Sequence, residues 1–261
     1  MTYQERFYRD EFSTDRFKSF SFAVEESDLW IGVDNGSFCA SMNEFCRDKV
    51  VKLRNDIKNY IKTYPEFKTS LEPLSVDNNM PGFAKDMIIA GNRANVGPMA
   101  AIAGYFAGFL GRQMLEKYEI SEMVIENGGD IFVKVKDQLS VLIYAGESYF
   151  SGKVGVKVPP GIYGICTSAG TVGHSYSQGN ADGVMVVCRD ITLADAFATS
   201  FANNIKNRDD VASLISLAKT KKEVLSCLAI YQDKIGACGE FEVVFSEGDG
   251  SQNGPGFGVF V

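Results

Sequence analysis

The chain has 261 residues, with 26 Lys or Arg against 33 Asp or Glu, so its formal net charge is −7. Apolar residues make up 45% and charged residues 23%, ordinary values for a globular protein that argue against a disordered or fibrous chain. A pI near 4.9 argues against nucleic acid or an anionic membrane surface as the main partner, because both require clustered Lys and Arg.

The first half of the chain passes from strand-like to helical patterns. Phe20, Phe22 and Val24 alternate with smaller or polar neighbours, which predicts a half-buried strand. Apolar residues then recur with helical spacing, interleaved with charged residues. We predict strands over 17–24 and 29–33, a helix over 41–64 that Pro65 ends, a surface excursion over 65–86 and a helix over 98–118.

The second half begins with short strand-like runs separated by turns. The helix that follows them has Thr192 as its expected N-cap. We predict strands over 123–125, 131–136, 139–144, 154–158, 163–167 and 184–188, helices over 192–204, 209–219 and 221–227, and strands over 234–238 and 241–245. The pattern predicts an α+β fold of mixed sheets and packed helices in one domain over 1–261, with two closely packed halves as the alternative.

The chain shows no pattern typical of export or of a membrane span. Its first residues lack the apolar run of a secretory signal. The apolar run 96–110 contains Pro98 and is shorter than the roughly 20 residues that span a bilayer, so it predicts a buried helix. Six cysteines without a CxxC pair favour reduced, mostly buried thiols. We therefore expect a cytoplasmic protein.

A first candidate motif, Asn127-Gly128-Gly129-Asp130, lies between two predicted strands. Paired glycines let a ligand approach the backbone closely, and free amides there can hold phosphate or carbonyl oxygens. The alternative is an Asn-Gly hairpin turn without a further role.

A second candidate motif joins hydroxyl groups and glycines at the end of a predicted strand. It includes Thr167, Ser168 and Gly170, and His174, the only histidine of the chain, follows. A histidine here suits a general acid or base, or a ligand contact. The alternative is a loop histidine without a role. A zinc site is not favoured, because one histidine and unpaired cysteines lack the needed spacing.

A third candidate motif is the helical segment that contains Asp195 and Thr199. These residues are four apart, so both oxygens lie on one helix face. A carboxylate and a hydroxyl, completed by water, suit a hard cation such as Mg²⁺. The alternative is an acidic residue that stabilises the helix dipole, with Thr199 bonded to the preceding turn.

Together, the order and spacing of the three motifs resemble the ApbE-like superfamily, the FAD:protein FMN transferases once called thiamine-biosynthesis lipoproteins. That family has a Gly-Gly-Asp motif after a strand, a Thr-Ser-Gly segment, a histidine-bearing loop and an Ala-Asp-Ala-x-Ala-Thr helix. The match covers about residues 90–205, and the last motif is the most specific. The chain looks most like a soluble branch marked by Val-Gly-Pro-Met-Ala-Ala-Ile-Ala-Gly and Gly-Ile-Cys-Thr-Ser-x-Gly-Thr-Val-Gly-His-Ser.

The resemblance implies an ApbE-like, T-fold-related architecture that binds FAD with Mg²⁺ at its pyrophosphate and passes FMN to a Ser or Thr of an acceptor protein. In the family, an Asp, a Thr and a backbone carbonyl hold the metal, which assigns Asp195 and Thr199 to Mg²⁺. The same match assigns Asn127, Gly128, Gly129, Asp130 and Gly170 to cofactor binding, and Thr167, Ser168 and His174 to catalysis near the reacting phosphate.

Departures from the family pattern, two of them within its motifs, leave the activity open. The lysine of the family's Gly-Ile-Ala-Lys-Gly segment is absent, since the chain reads Ala-Ile-Ala-Gly-Tyr over 101–105. The family's His-Ile-x-Asp-Pro run becomes His-Ser-Tyr-Ser-Gln from His174. The alternatives are an FMN transferase or FAD pyrophosphatase, and a non-catalytic protein that binds a flavin or other small ligand in the same cleft. A homodimer interface on the Ala/Gly-rich helix over 97–111 is a third, purely structural role.

Overall fold

The computed structural model describes residues 15–170 and 179–246 and the backbone of 258–260. In chain order, the strands are β1 (Phe17–Val24), β2 (Ser27–Asp34), β3 (Met123–Asn127), β4 (Asp130–Val135), β5 (Leu139–Leu142), β6 (Val154–Val158), β7 (Gly161–Ser168), β8 (Gly183–Cys188), β9 (Ser226–Tyr231), β10 (Lys234–Gly239), β11 (Glu242–Phe245) and β12 (Gly258–Phe260). The helices are α1 (Ser41–Thr63), α2 (Glu66–Thr69), α3 (Gly82–Ala94), α4 (Ile102–Lys117), α5 (Ile191–Asn203) and α6 (Asp210–Ala218), and a 3₁₀ turn, Pro98–Ala101, precedes α4.

Two sheets form the framework of the molecule. The larger one has eight strands in the order β1-β2-β3-β4-β7-β8-β9-β10, and each neighbouring pair is antiparallel. The smaller one has the order β11-β6-β5-β12, with β12 parallel to β5. The α+β prediction of mixed sheets with packed helices is therefore confirmed.

The two faces of the larger sheet pack against different partners. In β4, Ile131, Val133 and Val135 belong to a core shared with strands of the small sheet, whereas Phe132 belongs to the core shared with the helices. Successive strand residues point to opposite faces, so a strand covered on both sides reads as continuously apolar. This explains why every residue of β8 is buried.

Helix α5 lies at the centre of the helical layer and packs on β7, β8, α3 and α4. Its residues from Ile191 to Ala198 are all buried. Glycines allow its neighbours to approach closely: a Cβ on Gly164 of β7 would lie 2.2 Å from the Ile191 Cα. A Cβ on Gly104 of α4 would lie 2.8 Å from the Asp195 Cβ. The Ala/Gly-rich run is thus a packed helix; among the described residues, no helix is long and apolar enough to cross a bilayer.

Three local predictions are wrong. Helix α3 occupies part of the predicted surface excursion and buries Phe83, Met87 and Ile88; Pro81 precedes its first turn, where proline is tolerated. The segment 221–227 contains no helix; β9 begins at Ser226 because it pairs with both β8 and β10. The N-cap of α5 is Asp190 and not Thr192, because the Asp190 carboxylate accepts a hydrogen bond from the Thr192 backbone amide at 2.9 Å.

Candidate functional site

The Asn127–Asp130 motif is a two-residue hairpin turn between β3 and β4. Asn127 pairs with Asp130 across the turn, and Gly128 and Gly129 have φ values of 69° and 106°. Positive φ at both central positions is the geometry that favours glycine in such hairpins. The Gly129 amide donates a hydrogen bond of 3.0 Å to the carboxylate of Glu126, which is fully buried. The Glu126 side chain therefore holds the turn in place, and the sequence analysis assigned no role to this residue.

Asp195 is a buried carboxylate at the contact between α5 and α4. Its Oδ2 accepts a hydrogen bond of 2.8 Å from the Gly104 amide. Burial raises the pKa of Asp195 to about 7, and hydrogen bonds from the amides of Gly104 and Ala103 oppose that rise. The two backbone amides therefore offset only part of the cost of burying the ionised Asp195 carboxylate.

The hairpin turn, the end of β7 and the two helices meet around Asp195. The Asn127 side-chain amide donates to the Ala103 carbonyl at 3.0 Å, which ties the turn to the start of α4. The Thr167 amide donates to the Gly129 carbonyl at 3.1 Å, which ties the turn to β7. Three segments that are far apart in the sequence are therefore joined by direct hydrogen bonds.

Cys166 marks the point where two predicted site residues approach each other. It pairs with Asp130 across β4 and β7. Burial raises the pKa of the Cys166 thiol, and the nearby Asp130 and Asp195 carboxylates raise it further. Both carboxylates therefore act on one buried thiol, which remains protonated and serves as a small apolar group in the core.

Thr199 faces the start of the α4 segment one helical turn beyond Asp195. Its hydroxyl donates to the Ala100 carbonyl at 3.5 Å, a long hydrogen bond. The Thr167 hydroxyl is buried and has no hydrogen-bond partner within the described part of the chain. Among the described residues, the Thr199 hydroxyl therefore makes only a long hydrogen bond and the Thr167 hydroxyl makes none.

The donor set fits a hard divalent cation. A carboxylate (Asp195), a hydroxyl (Thr199) and a backbone carbonyl (Ala100) are oxygen ligands of the kind that Mg²⁺ accepts with several waters. A bound cation would also offset the desolvation that raises the pKa of Asp195. In the described ranges, no cluster of three or more His, Cys, Asp or Glu side chains could hold a metal ion, so a cation here would rest on this mixed set.

Ser168 and Gly170 lie around the same end of the large sheet. Ser168 ends β7 and is half-buried. The Gly170 amide donates to the Ala181 carbonyl at 2.8 Å, and a Cβ on Gly170 would lie 2.0 Å from the Gly179 carbonyl oxygen. His174 lies outside the described residues, so its predicted catalytic role stays a prediction.

Gly104 lies where α4 and α5 approach closely. In the resemblance described above, the lysine of the Gly-Ile-Ala-Lys-Gly segment falls at this position. A Cβ there would lie 2.8 Å from both the Asp195 Cβ and the Ile191 carbonyl oxygen. Any side chain at this position would therefore force α4 away from α5. The sequence signal that pointed to Gly104 was the absence of lysine from the segment 101–105.

Comparison with known proteins places the chain in a family. A profile of the family described as AbpE bacteria matches residues 9–221. The chain belongs to that family. Among its curated relatives, a UPF0280 protein of Methanococcus maripaludis is 38% identical over 223 residues, which cover 82% of this chain and 88% of the relative. A UPF0280 protein of Methanocaldococcus jannaschii is 34% identical over 224 residues, covering 83% and 88%.

Solved structures of flavin transferases share the fold of this AbpE-family chain. The apo flavinyl transferase ApbE of Pseudomonas stutzeri matches with a TM-score of 0.56 and 9% identity, covering 86% of this chain and 94% of that one. The flavin transferase ApbE of Vibrio cholerae matches with a TM-score of 0.50 and 13% identity, covering 88% and 97%. At such low identity the likeness establishes the ApbE-like architecture and no more.

Proposed function

We propose that the protein is a Mg²⁺-dependent enzyme that acts on the pyrophosphate of FAD, as an FMN transferase or an FAD pyrophosphatase. The observation that carries the proposal is the Asp195 carboxylate, buried and held by the Gly104 amide at 2.8 Å, one helical turn from Thr199. The shared fold with flavin transferases supports it, as does membership of the AbpE family.

In this proposal, Asp195, Thr199 and the Ala100 carbonyl hold Mg²⁺, and the Gly104 amide orients the carboxylate. A divalent ion at this position would neutralise charge on the pyrophosphate and polarise phosphorus, as in other phosphoryl transfers. The Gly128-Gly129 turn has no side chains, so a ligand can approach its backbone closely.

The remaining assignments concern the reacting groups. We assign Asn127, Asp130 and Gly170 to binding of the flavin nucleotide, and Thr167, Ser168 and His174 to catalysis at the reacting phosphate. In the transferase reaction, an acceptor hydroxyl forms a P–O bond to the FMN phosphorus as the pyrophosphate P–O bond breaks. AMP leaves with the electron pair of that bond, and a protein base takes the hydroxyl proton. In the pyrophosphatase reaction, water replaces the acceptor hydroxyl.

A non-catalytic binding protein is the second candidate. The observation that favours it is Gly104, because the packing against Asp195 and Ile191 leaves no room for the family's lysine. Without that cation, the site has less positive charge to stabilise charge that develops on a transferring phosphate.

The proposal is tested by incubating the protein with FAD and MgCl₂, with and without candidate acceptor proteins, and separating FMN and AMP by chromatography. We expect turnover that requires Mg²⁺, that Asp195→Asn abolishes and that Asp233→Asn retains, since Asp233 lies in an exposed ion pair with Arg208. Tight FAD binding without turnover would favour the binding protein. Neither binding nor turnover would contradict both candidates.

A further inference from the structure

A cleft of about 290 Å³ opens where α3, α4 and β4 meet the N-terminus of α5. Asp86, Arg112, Arg189 and Asp190 supply its charged groups, with Phe132 and Thr192 also lining it. The cleft lies about one helical turn before the candidate metal site, because Ile191 lines the cleft and Asp195 is four residues further along α5. Its volume is near the lower limit of small-molecule pockets, which suits a small metabolite.

Two guanidinium groups and two carboxylates line the same cleft. Within the described residues, neither guanidinium lies in an ion pair with a carboxylate, although two carboxylates line the same cleft. The groups are nevertheless close enough to interact: burial raises the pKa of Asp86, Arg112 opposes that rise and Asp190 adds to it. Opposite charges therefore lie around one cleft without a direct ion pair between them.

Neighbouring groups hold these charges in place. The Arg189 guanidinium lies 4.4 Å from the centre of the Tyr163 ring and donates to the Ile162 carbonyl at 3.3 Å. The Asp190 carboxylate is held in place by the capping hydrogen bond that it accepts from the Thr192 amide. The Arg112 guanidinium lies 5.8 Å from the centre of the Tyr105 ring. Contacts of this kind reduce the entropy lost when a ligand binds.

Thr192 adds a hydroxyl group to the lining of the cleft. The residue is only 3% exposed, and its hydroxyl makes no hydrogen bond within the described part of the chain. The hydroxyl is not among the fully buried polar atoms that lack a partner in the described residues, so solvent in the cleft reaches it and a ligand can replace that solvent. Phe132 and Ile191, which are 6% and 2% exposed, give the cleft an apolar wall.

We propose that this cleft binds a small zwitterion of the class of an apolar α-amino acid. Arg112 and Arg189, at the N-terminus of the 13-residue helix α5, bind the carboxylate. Asp86 and Asp190 bind the ammonium group, and the apolar side chain packs on Phe132. A simple anion fits less well, because the two aspartates repel it.

Calorimetry with L-leucine as the probe tests the proposal on the full chain. We expect leucine to bind at concentrations up to about 10 mM. We expect 4-methylpentanoate, which lacks the ammonium group, and 3-methylbutylamine, which lacks the carboxylate, to bind at least about tenfold more weakly. Absence of leucine binding would overturn the proposal. Equal binding of 4-methylpentanoate would also overturn it, because the cleft would then be a simple anion site.

Variants at exposed positions locate the binding. Arg112→Gln and Asp86→Asn should each weaken leucine binding at least about tenfold by removing one side of the charge recognition. Arg93→Gln is the matched control, because Arg93 lies on α3 but forms an exposed ion pair with Glu223 outside the cleft. Equal affinity of the wild type and the Arg112→Gln and Asp86→Asn variants would contradict the assignment. Unchanged unfolding temperatures of the variants would show that affinity, not folding, has changed.

Discussion

At the residue scale, the site depends on one carboxylate placed where water cannot solvate it well. Asp195 is 8% exposed and receives hydrogen bonds from two backbone amides. A buried carboxylate normally has a cationic partner or a raised pKa, and here burial raises the pKa to about 7. A divalent cation is the partner that would explain why an acidic residue lies on a helix otherwise buried among apolar groups.

Two substitutions separate the proposed role of the Thr199 hydroxyl as a metal ligand from the size of the side chain. Thr199→Val keeps the shape but removes the hydroxyl, so we expect Mg²⁺ affinity to fall at least about tenfold, equal to roughly 1.4 kcal/mol. Thr199→Ser keeps the hydroxyl and should retain most of the affinity. Isothermal titration with MgCl₂ measures both. Equal affinity of the two variants would show that the hydroxyl is not a ligand.

At the scale of elements, two glycines set the distance between α4 and α5. Gly104 lies against Asp195, whereas a Cβ on Gly108, one turn further along α4, would lie 2.5 Å from the Ile191 Cγ2. Both positions face the same neighbouring helix, but only Gly104 touches the candidate metal site. This makes them a matched pair for separating packing from positioning.

We expect Gly104→Ala and Gly108→Ala each to destabilise the fold by about 1–3 kcal/mol, since each forces extra volume into a closely packed contact. Only Gly104→Ala should also weaken divalent-cation binding, because it displaces the amide that holds the Asp195 carboxylate. Chemical denaturation measures the stability, and titration with Mn²⁺ measures the affinity. If both variants lose affinity equally, Gly104 has no specific positioning role.

Sequence patterns predicted the elements whose residues alternate or recur regularly. Strands β4, β7 and β8 and helix α5 follow from such patterns. Helix α3 was missed because turn-forming residues at 78–82 dominate its start, and β9 was missed because its structure depends on pairing with two distant strands. Glu126 received no role and the backbone carbonyl was not located, because their place at the site depends on tertiary contacts that no local pattern records.

At the scale of the whole molecule, an ion pair joins the start of β1 to the middle of the chain. Arg16 donates to both carboxylate oxygens of Glu122, at 3.1 and 2.6 Å, and to the carbonyls of Asp137 and Gln138. The amides of Lys136 and Asp137 also donate to Glu122. Burial would raise the pKa of Glu122, but Arg16 and these amides together hold it below its usual value.

Because the pKa of Glu122 is lower in the folded protein than in the unfolded chain, its contribution to stability is present at neutral pH and is lost as the pH falls below about 4.5. We expect Glu122→Gln to lower the free energy of unfolding by about 2 kcal/mol at pH 7. The difference from the wild type should shrink towards pH 3. Denaturant unfolding across this pH range measures it, and a constant difference would contradict the assigned ionisation.

The candidate site is also a property of the whole fold, since it joins the 3₁₀ turn before α4, the β3–β4 turn, the end of β7 and the middle of α5. The sequence analysis identified three separate motifs, and only the family resemblance placed them in one site. The Asp195–Gly104 contact, which links residues 91 positions apart, became visible only in the folded chain.

Binding of Mn²⁺, followed by electron paramagnetic resonance as the free-ion signal disappears, tests the central claim most directly. We predict that the wild type and Asp233→Asn bind one Mn²⁺ that excess Mg²⁺ displaces, and that Asp195→Asn leaves the ion free in solution. Equal Mn²⁺ binding by Asp195→Asn and the wild type would contradict the assignment of a divalent-cation site to the place where α4, α5 and the β3–β4 turn meet.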